Sequence, residues 1–140
     1  MIIGLVIGVV CLAVTDIMLT VADSACSVTA YLGGVKGTYR TIGLTGAGRY
    51  KDCNTQLDTE NHVSSIMAWA QAAGKATGVV STNGITDASP AGAYAHVAYR
   101  GWYNDWEVIE DGADPEICDD IAEQVKFSVL LQYISHLLSW

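Results

Sequence analysis

Three short segments of the chain carry side chains that could take part in chemistry. The first is the pair Asp23 and Ser24 at a predicted helix start, where unpaired backbone amides and a partial positive charge favour an anion such as phosphate. The Ser24 hydroxyl is placed for attack but needs an activator, because a free hydroxyl is a weak nucleophile. The three histidines are distant in sequence, which leaves a metal ion as the other activator: His62, His96 and His136. An ordinary helix cap would use the same residues.

The other two segments could bind a cation and an anion. Asp87 and Ser89 offer oxygen ligands two positions apart before a predicted helix, which suits a hard cation such as Mg²⁺, although the same residues also form a common capping sequence. Arg100 could bind phosphate through its planar guanidinium or stack as a surface side chain. Its neighbours in sequence are aromatic: Tyr99, Trp102, Tyr103 and Trp106. None of the three segments decides a function separately.

Capping residues and hydrophobic periodicity predict the elements that position these side chains. A helix over residues 24–32 would begin at Asp23 or Ser24 and end at Gly33 and Gly34. Ser89 as N-cap and Pro90 at the first helical position predict a short helix after them. The remaining predictions are a helix over 59–74, a buried strand over 77–82, the short helix over 91–99, and a helix over 121–138. A helix followed by an apolar strand is typical of an α/β protein.

Composition limits the classes of protein to which the chain could belong. Its 140 residues suit one domain, and 51% hydrophobic with 16% charged residues excludes general disorder. The net charge of -8 argues against a nucleic-acid partner, because phosphate backbones attract clustered Lys and Arg. Nine of the fifteen acidic residues lie between Asp105 and Glu123, and we expect them to form a solvated surface.

The first 22 residues differ from the rest of the chain, being apolar with Asp16 as their one charged side chain. They could be a membrane-inserted or signal-like leader, a buried strand, or a stretch that does not fold with the rest. The cysteines form no CxxC pair, which excludes a zinc ribbon or a thioredoxin-type site, and their positions alone leave the disulfide pairing open: Cys11, Cys26, Cys53 and Cys118.

Taken together, the segments indicate a family. The run DSACSVTAYLGGVKG from Asp23, followed by TIGL, CNT, AWAQAAGKATGVVST, ASPAGAYAHVAYRGWYND and CDDIAEQ, resembles the alkaline phosphatases, especially the animal type. The resemblance covers about residues 22–125 in order. It divides the chain into an apolar leader (1–22), a partial alkaline phosphatase domain (23–126) and an apolar tail that does not match (127–140).

The resemblance implies a role for each site residue. Ser24 would attack a phosphate monoester and form a phosphoserine, Arg100 would bind the phosphate, and Asp23 would orient Arg100. In that family two Zn²⁺ ions and one Mg²⁺ form a metal clamp on the displacement, to which Ser24, Asp87 and Ser89 would contribute.

Several positions bear on the metals and the compartment. Asp87 follows the bacterial rather than the animal pattern and should favour Mg²⁺. Gly84 stands where the animal proteins usually have an arginine, and Cys26 where the family has a small residue. Cys53 and Cys118 match a disulfide of the animal enzymes, which implies an extracellular setting.

The resemblance also sets the expected fold and two alternative functions. The fold class is α/β: a fragment of a three-layer α/β/α sandwich, helix-rich with an incomplete sheet and exposed apolar faces. Most zinc ligands of the family have no counterpart here. The chain is therefore either part of a secreted or membrane-associated alkaline phosphatase, or an inactive phosphatase-like module. Phosphate monoesters are the implied substrates, and the full-length family implies a homodimer at the cell surface.

Overall fold

The fold is described from a computed structural model that defines residues 21–127. Most of the apolar leader and of the apolar tail lies outside the described residues. The helices of the described part are α1 (Ser24–Gly33), α2 (Cys53–Leu57), α3 (Ile66–Ala72), α4 (Ala88–Ala91), α5 (Asp105–Glu110) and α6 (Ile121–Phe127), with a 3₁₀ turn at Thr59–Asn61. The pairing between described segments is limited to two isolated antiparallel bridges, Ile42 with Val97 and Leu44 with His62. The expectation of a helix-rich chain with an incomplete sheet is confirmed.

Helix α1 begins and ends as its sequence predicts. The carboxylate of Asp23 accepts a hydrogen bond from the amide of Cys26, and Gly34 terminates the helix with a left-handed φ of 72°. One face of α1 is buried, through Ala25, Cys26, Val28, Thr29 and Ala30. Ser24 is therefore held at the first turn of a helix that packs firmly on the core.

Helix α4 packs directly against α1. Gly92, the residue that ends α4, lies so close to Val28 that an added Cβ would stand 2.9 Å from the Val28 Cβ and overlap both of its methyl groups. The close approach places the segment that carries Asp87 and Ser89 beside the helix that begins at Ser24.

A strap over residues 40–44 connects these helices to the rest of the core. Ile42 exchanges backbone hydrogen bonds of 3.0 and 2.9 Å with Val97, and both side chains are fully buried. Gly43 has a φ of 63° and approaches the carbonyl of Ala95 so closely that no side chain could fit there. Its amide donates to the hydroxyl of Thr29 on α1 at 2.9 Å.

A disulfide and a glutamine join α2 to the segment before α6. Cys53 and Cys118 form a disulfide with Cα atoms 5.6 Å apart, which confirms the pairing implied by the resemblance. The side chain of Gln56 donates to the carbonyl of Asp119 at 2.7 Å and accepts from the amide of Ala98 at 2.9 Å. Two parts of the chain that are 65 positions apart are thus held by covalent and polar contacts.

The predicted helix over 59–74 is wrong in its first half. Asp58 caps the 3₁₀ turn, and the helix starts only at Ile66, with the Ser65 hydroxyl accepting from the amide of Ala68. The reason is tertiary: the amide of Val63 donates to the carbonyl of Gly43 at 2.8 Å. That pairing with the strap requires an extended backbone at a position where the periodicity indicated helix.

The predicted strand over 77–82 and the predicted helix over 91–99 are also wrong. Residues 77–82 form neither helix nor strand, and Val80 is fully exposed, because no neighbouring strand among the described residues covers it. The short helix is instead α4, preceded by Asp87 rather than Ser89 as its N-cap residue. Val97, which lies inside the predicted helix, instead pairs with Ile42.

Two further helices complete the comparison with the sequence. Helix α5 was not predicted, although Asn104 and Glu107 form a capping box that the sequence displays. The start of the predicted helix over 121–138 is confirmed by α6, and its continuation lies outside the described residues. Between residues 21 and 127 no helix is both long and apolar enough to cross a membrane.

Apolar side chains remain exposed on part of the surface, as expected for an incomplete sandwich. Helix α3 has no buried residue, and Ile66 and Trp69 are each 53% exposed. The stable packing is concentrated in the cluster around α1, the strap and Trp102.

Two histidine rings stack beside the strap. The rings of His62 and His96 lie 4.2 Å apart at an angle of 6°. A nitrogen of His96 contacts the carbonyl of Gly43 at 2.8 Å, and one of His62 contacts the carbonyl of Gln56 at 2.7 Å. Burial lowers the pKa of His96 below its usual 6.5, the nearby His62 lowers that pKa further, and the bond to Gly43 opposes both.

The contact between α1 and α4 can be tested with Gly92→Ala. We expect a loss of about 1–3 kcal/mol in the free energy of unfolding, measured by urea denaturation, because the new methyl group overlaps Val28. Adding Val28→Ala should recover part of the loss. The control is Gly78→Ala, whose Cβ meets nothing within 4 Å. A Gly92→Ala protein as stable as Gly78→Ala would contradict this packing.

The stacked histidines predict a pH dependence of stability. Because the pKa of His96 is lower in the folded chain, its stabilising effect is full above pH 6.5 and is lost as the pH falls through the folded-state pKa. The free energy of unfolding should therefore decrease from pH 7 downward, and His96→Gln should remove that part of the slope. His62→Gln should reduce the slope by less. The slope is measured by urea denaturation at several pH values, and an unchanged slope in His96→Gln would exclude this origin.

Candidate active site

The carboxylate of Asp23 connects three separate parts of the chain. One oxygen accepts from the Cys26 amide at 3.3 Å, from the Cys26 thiol at 3.2 Å and from the Arg40 amide at 3.2 Å. The other oxygen accepts from Nη1 of Arg100 at 3.0 Å. Partial burial by itself would raise the pKa of Asp23, but the bonds from Arg100, Cys26 and Arg40 together hold that pKa below its usual 3.8. The group is therefore a carboxylate at neutral pH.

Arg100 joins Asp23 to Ser24. Its Nη1 lies 3.0 Å from the carboxylate and 2.6 Å from the Ser24 hydroxyl, to which it donates. The side chain is partly accessible, 28% for Arg100 against 15% for Asp23. Ser24 itself is exposed at the start of α1. The nucleophile candidate and the guanidinium thus meet at an accessible point on the surface.

Among the described residues, no aromatic ring next to Arg100 in sequence stacks on its guanidinium. Trp102 is fully buried, and Tyr99 packs edge-on against it with ring centres 6.3 Å apart. The amide of Arg100 donates to the carbonyl of Arg40 at 2.9 Å. The sequence left two interpretations of Arg100 open, a phosphate-binding side chain or a surface side chain stacked on an aromatic ring. The described ring contacts do not include such stacking. The Arg100 guanidinium instead donates to the Asp23 carboxylate and the Ser24 hydroxyl.

Arg40 is a residue of the site that the sequence did not reveal. Its amide binds Asp23 and its carbonyl accepts from Arg100, so one peptide segment touches both. It adopts a φ of 63°, which is uncommon for a residue with a side chain. An arginine in the sequence does not indicate a positive φ, so this backbone conformation is seen only in the folded chain.

Ser89 lies on α4, which packs against α1, and Asp87 immediately precedes that helix. Asp87 is half-buried at the N-cap position and makes no side-chain bond to the helix, while Ser89 is exposed. Their carboxylate and hydroxyl are thus not used for capping. The described contacts join Ser24, Asp23 and Arg100 to one another, but they do not join either α4 residue to that group.

The described residues do not fit a pair of zinc ions. Between residues 21 and 127 no three or more His, Cys, Asp or Glu side chains converge on a point where a metal could sit. Structural and catalytic zinc sites need three or four such ligands each. The oxygens of Ser24, Asp87 and Ser89 are too few for two zinc ions and one magnesium ion, so this part of the chain does not by itself form the metal clamp that the resemblance implies.

Chemically, the arrangement is suited to holding a phosphoryl group. A planar guanidinium can donate to two phosphate oxygens, and the amino-terminal end of the α1 dipole adds partial positive charge near Ser24. Asp23 keeps the guanidinium in one orientation and is itself fixed by three donors. Among the described residues no histidine contacts Ser24, whose hydroxyl is contacted by Arg100.

The chain is similar to known proteins over most of its length. The family model described as alkaline phosphatase matches residues 7–132. A membrane-bound alkaline phosphatase of Bombyx mori is 48% identical over 105 residues, which cover 75% of this chain and 19% of that protein. The tissue-nonspecific alkaline phosphatase of Homo sapiens is 42% identical over 109 residues, covering 78% of this chain and 20% of that protein.

A solved structure is similar as well. The cold-active alkaline phosphatase of the psychrophile Shewanella sp. superimposes with a TM-score of 0.50 and 29% identity, covering 67% of this chain and 21% of that one. This chain therefore spans about a fifth of the length of the relatives it matches. The fold class expected from the resemblance, a fragment of the alkaline phosphatase sandwich, is confirmed. With a family match over most of its length and the serine, arginine and aspartate side by side, the chain belongs to the alkaline phosphatase family.

Proposed function

We propose that the chain carries the nucleophile and the phosphate-binding arginine of an alkaline phosphatase, a phosphoric monoester hydrolase that works through a phosphoserine on Ser24. The observation that carries the proposal is the 2.6 Å contact between Nη1 of Arg100 and the Ser24 hydroxyl, with Asp23 3.0 Å from the same nitrogen. A phosphoryl group placed between serine and arginine would exchange this contact for two charge-assisted bonds.

The proposed reaction uses these residues in a fixed order. Arg100 binds the non-bridging oxygens of a phosphate monoester and meets the charge that develops on them. The Ser24 hydroxyl then gives its proton to solvent as its oxygen forms a bond to phosphorus, the bond to the leaving oxygen breaks, and the leaving oxygen takes up a proton. Water later cleaves the phosphoserine, which releases inorganic phosphate and restores the Ser24 hydroxyl. Asp23 acts as a positioning residue, since it holds the guanidinium rather than contacting phosphate.

The proposal assigns metal ions only to the full-length protein. There, Zn²⁺ and Mg²⁺ would be held partly by Ser24, Asp87 and Ser89, with the other ligands supplied from outside the described residues. The similarity to a membrane-bound relative and the Cys53–Cys118 disulfide support a cell-surface or extracellular location. Homodimerisation and membrane association of the full-length protein are parts of the same proposal.

A second candidate function is that of a phosphate-binding module without hydrolytic activity. It is favoured by the lack of a metal-binding cluster among residues 21–127. In this case Asp23, Ser24 and Arg100 would retain the family's phosphate contact but not its turnover.

Phosphate binding by the 140-residue chain tests the proposed site. We expect Arg100→Ala to weaken the binding of inorganic phosphate about ten- to a hundredfold, because a charged hydrogen-bond donor is lost. Arg100→Lys should recover only part, since the charge remains but the planar fork does not. Lys75→Ala, at an exposed lysine, is the control. Affinities are measured by isothermal titration calorimetry, and equal affinities for wild type and Arg100→Ala would refute the site.

Turnover separates the two candidate functions. The hydrolysis of p-nitrophenyl phosphate is followed at alkaline pH with added Zn²⁺ and Mg²⁺, and phosphorylated protein is sought by mass spectrometry. A phosphoserine that disappears in Ser24→Ala would establish the hydrolase. Phosphate binding with neither turnover nor phosphoserine would establish the inactive module.

A further inference from the structure

Arg100 lies in a tight turn of the chain. The amide of Trp102 donates to the carbonyl of Tyr99 at 3.0 Å, which leaves Arg100 and Gly101 as the two central residues of the turn. The Tyr99 ring packs against Gly101, where an added Cβ would stand 2.7 Å from two ring carbons. The position of the Arg100 guanidinium therefore depends on how Tyr99 and Trp102, the two ends of the turn, are held.

Lys51 contacts the first end of this turn. Its amide donates to the carbonyl of Ala98, the residue before the turn, at 3.1 Å. Its ammonium lies over the Tyr99 ring, 4.7 Å from the ring centre, where a cation is attracted by the negative face of the ring. Lys51 therefore binds this end of the turn with both its backbone and its charge.

Asp111 contacts the second end of the turn. One of its carboxylate oxygens accepts from the indole nitrogen of Trp102 at 2.9 Å, and the other accepts from the Lys51 ammonium at 2.6 Å. The Trp102 side chain is fully buried, so its indole has little freedom to move. A single carboxylate thus joins the cation over Tyr99 to the indole of Trp102, and the contacts form a closed ring around the turn.

Lys51 and Asp111 are both charged at neutral pH. The hydrogen bond to Asp111 raises the pKa of Lys51 above its usual 10.5. The bond from Lys51 lowers the pKa of Asp111 below its usual 3.8, partial burial opposes this, and the bond from Trp102 adds to it. A partly accessible ion pair by itself contributes little to stability. We therefore expect this pair to affect the position of the turn more than the stability of the fold.

The ion pair and the active site are connected only through the turn. Arg100 follows Tyr99 directly, and its Nη1 reaches the Asp23 carboxylate and the Ser24 hydroxyl. Among the described contacts, neither Lys51 nor Asp111 touches the Ser24 hydroxyl or the Arg100 guanidinium. An effect of the pair on phosphate binding would therefore come from the geometry of the turn or from the electric field of two charges.

We propose that Lys51 and Asp111 are positioning residues, which orient the Arg100 guanidinium toward Ser24 by holding the two ends of its turn. The inference rests on the proposed function, because it assigns the ion pair to the phosphate contact of Arg100. An effect of field alone has a different result: loss of the positive charge of Lys51 would weaken phosphate binding, and loss of the negative charge of Asp111 would strengthen it. Positioning requires that both losses weaken it.

Neutral variants of the two residues separate position from field. The affinity of the 140-residue chain for inorganic phosphate is measured by isothermal titration calorimetry. We expect Lys51→Met and Asp111→Asn each to weaken phosphate binding about three- to tenfold, because residues in one contact network are coupled by free energies of this order. The Asp111→Asn side chain keeps its shape but offers only one oxygen to the two donors. Tighter phosphate binding by Asp111→Asn would overturn the proposal.

Matched controls remove the same charges elsewhere. Lys75→Met and Glu110→Gln change exposed side chains and should leave the phosphate affinity nearly unchanged. Lys51→Arg should restore most of the affinity, since a guanidinium can also stack on the Tyr99 ring and pair with Asp111. Far-ultraviolet circular dichroism verifies that each variant is folded. The proposal would be overturned by a Lys51→Arg protein as weak as Lys51→Met, or by Lys51→Met binding as tightly as Lys75→Met.

NMR of the arginine side chain reports its position directly. The Nε–H resonance of Arg100 is identified by its absence in Arg100→Lys. In Lys51→Met and in Asp111→Asn this resonance should move toward that of a solvated arginine, whereas in Lys51→Arg it should stay near its wild-type position. A resonance that does not move in Lys51→Met would show that the pair does not orient the guanidinium.

Failure of this inference can be told apart from failure of the proposed function. If Arg100→Ala leaves phosphate binding unchanged, the proposed phosphate site is refuted, and the Arg100 resonance still tests whether the ion pair orients the guanidinium. If Arg100→Ala weakens phosphate binding but Lys51→Met and Asp111→Asn do not, the inference alone is overturned.

Discussion

The carboxylate of Asp23 is the constraint on which the candidate site depends. It caps α1, binds the amide of Arg40 and fixes the guanidinium of Arg100, and these three contacts come from parts of the chain up to 77 positions apart. Partial burial opposes the charged form, and the donors offset that cost. Loss of any one donor would leave a carboxylate less well solvated than in water, so the cap, the strap and the arginine stabilise one another.

The strap over residues 40–44 takes the place that a sheet would hold in positioning these groups. Arg40 joins Asp23 to Arg100, Ile42 pairs with Val97, and Gly43 touches α1 through Thr29. The backbone pairing of Ile42 and of Leu44 consists of one isolated bridge each, not of a ladder of hydrogen bonds as in a sheet. Both side chains are nevertheless completely buried. Burial of the apolar side chains of Ile42 and Leu44 therefore holds the strap in place together with single hydrogen bonds, without a repeated backbone ladder.

Sequence predicted the parts of the site that follow from local rules or from family motifs. The Asp23 cap is a local signal, while the roles of Arg100 and the Cys53–Cys118 pairing came from the resemblance. The helix over 59–74 failed because backbone pairing of Val63 with the strap overrode its periodicity. The strand over 77–82 failed because an apolar run becomes a strand only where another strand lies beside it. Arg40 could not be found, since its left-handed backbone depends on contacts that only the folded chain makes.

The distribution of charge would allow an acidic chain to attract a phosphate. Charges separated by more than about 8 Å are largely screened at physiological ionic strength, so a net charge of -8 matters less at the site than the charges that adjoin it. The cation that adjoins Ser24 is Arg100, whose charge is partly compensated by Asp23. Lys51 engages Asp111, which belongs to the acidic run over 105–123, and so neutralises the acid it meets. A phosphate at Ser24 would therefore encounter a local positive field, and the rest of the chain would keep its negative surface without repelling the ligand from the site.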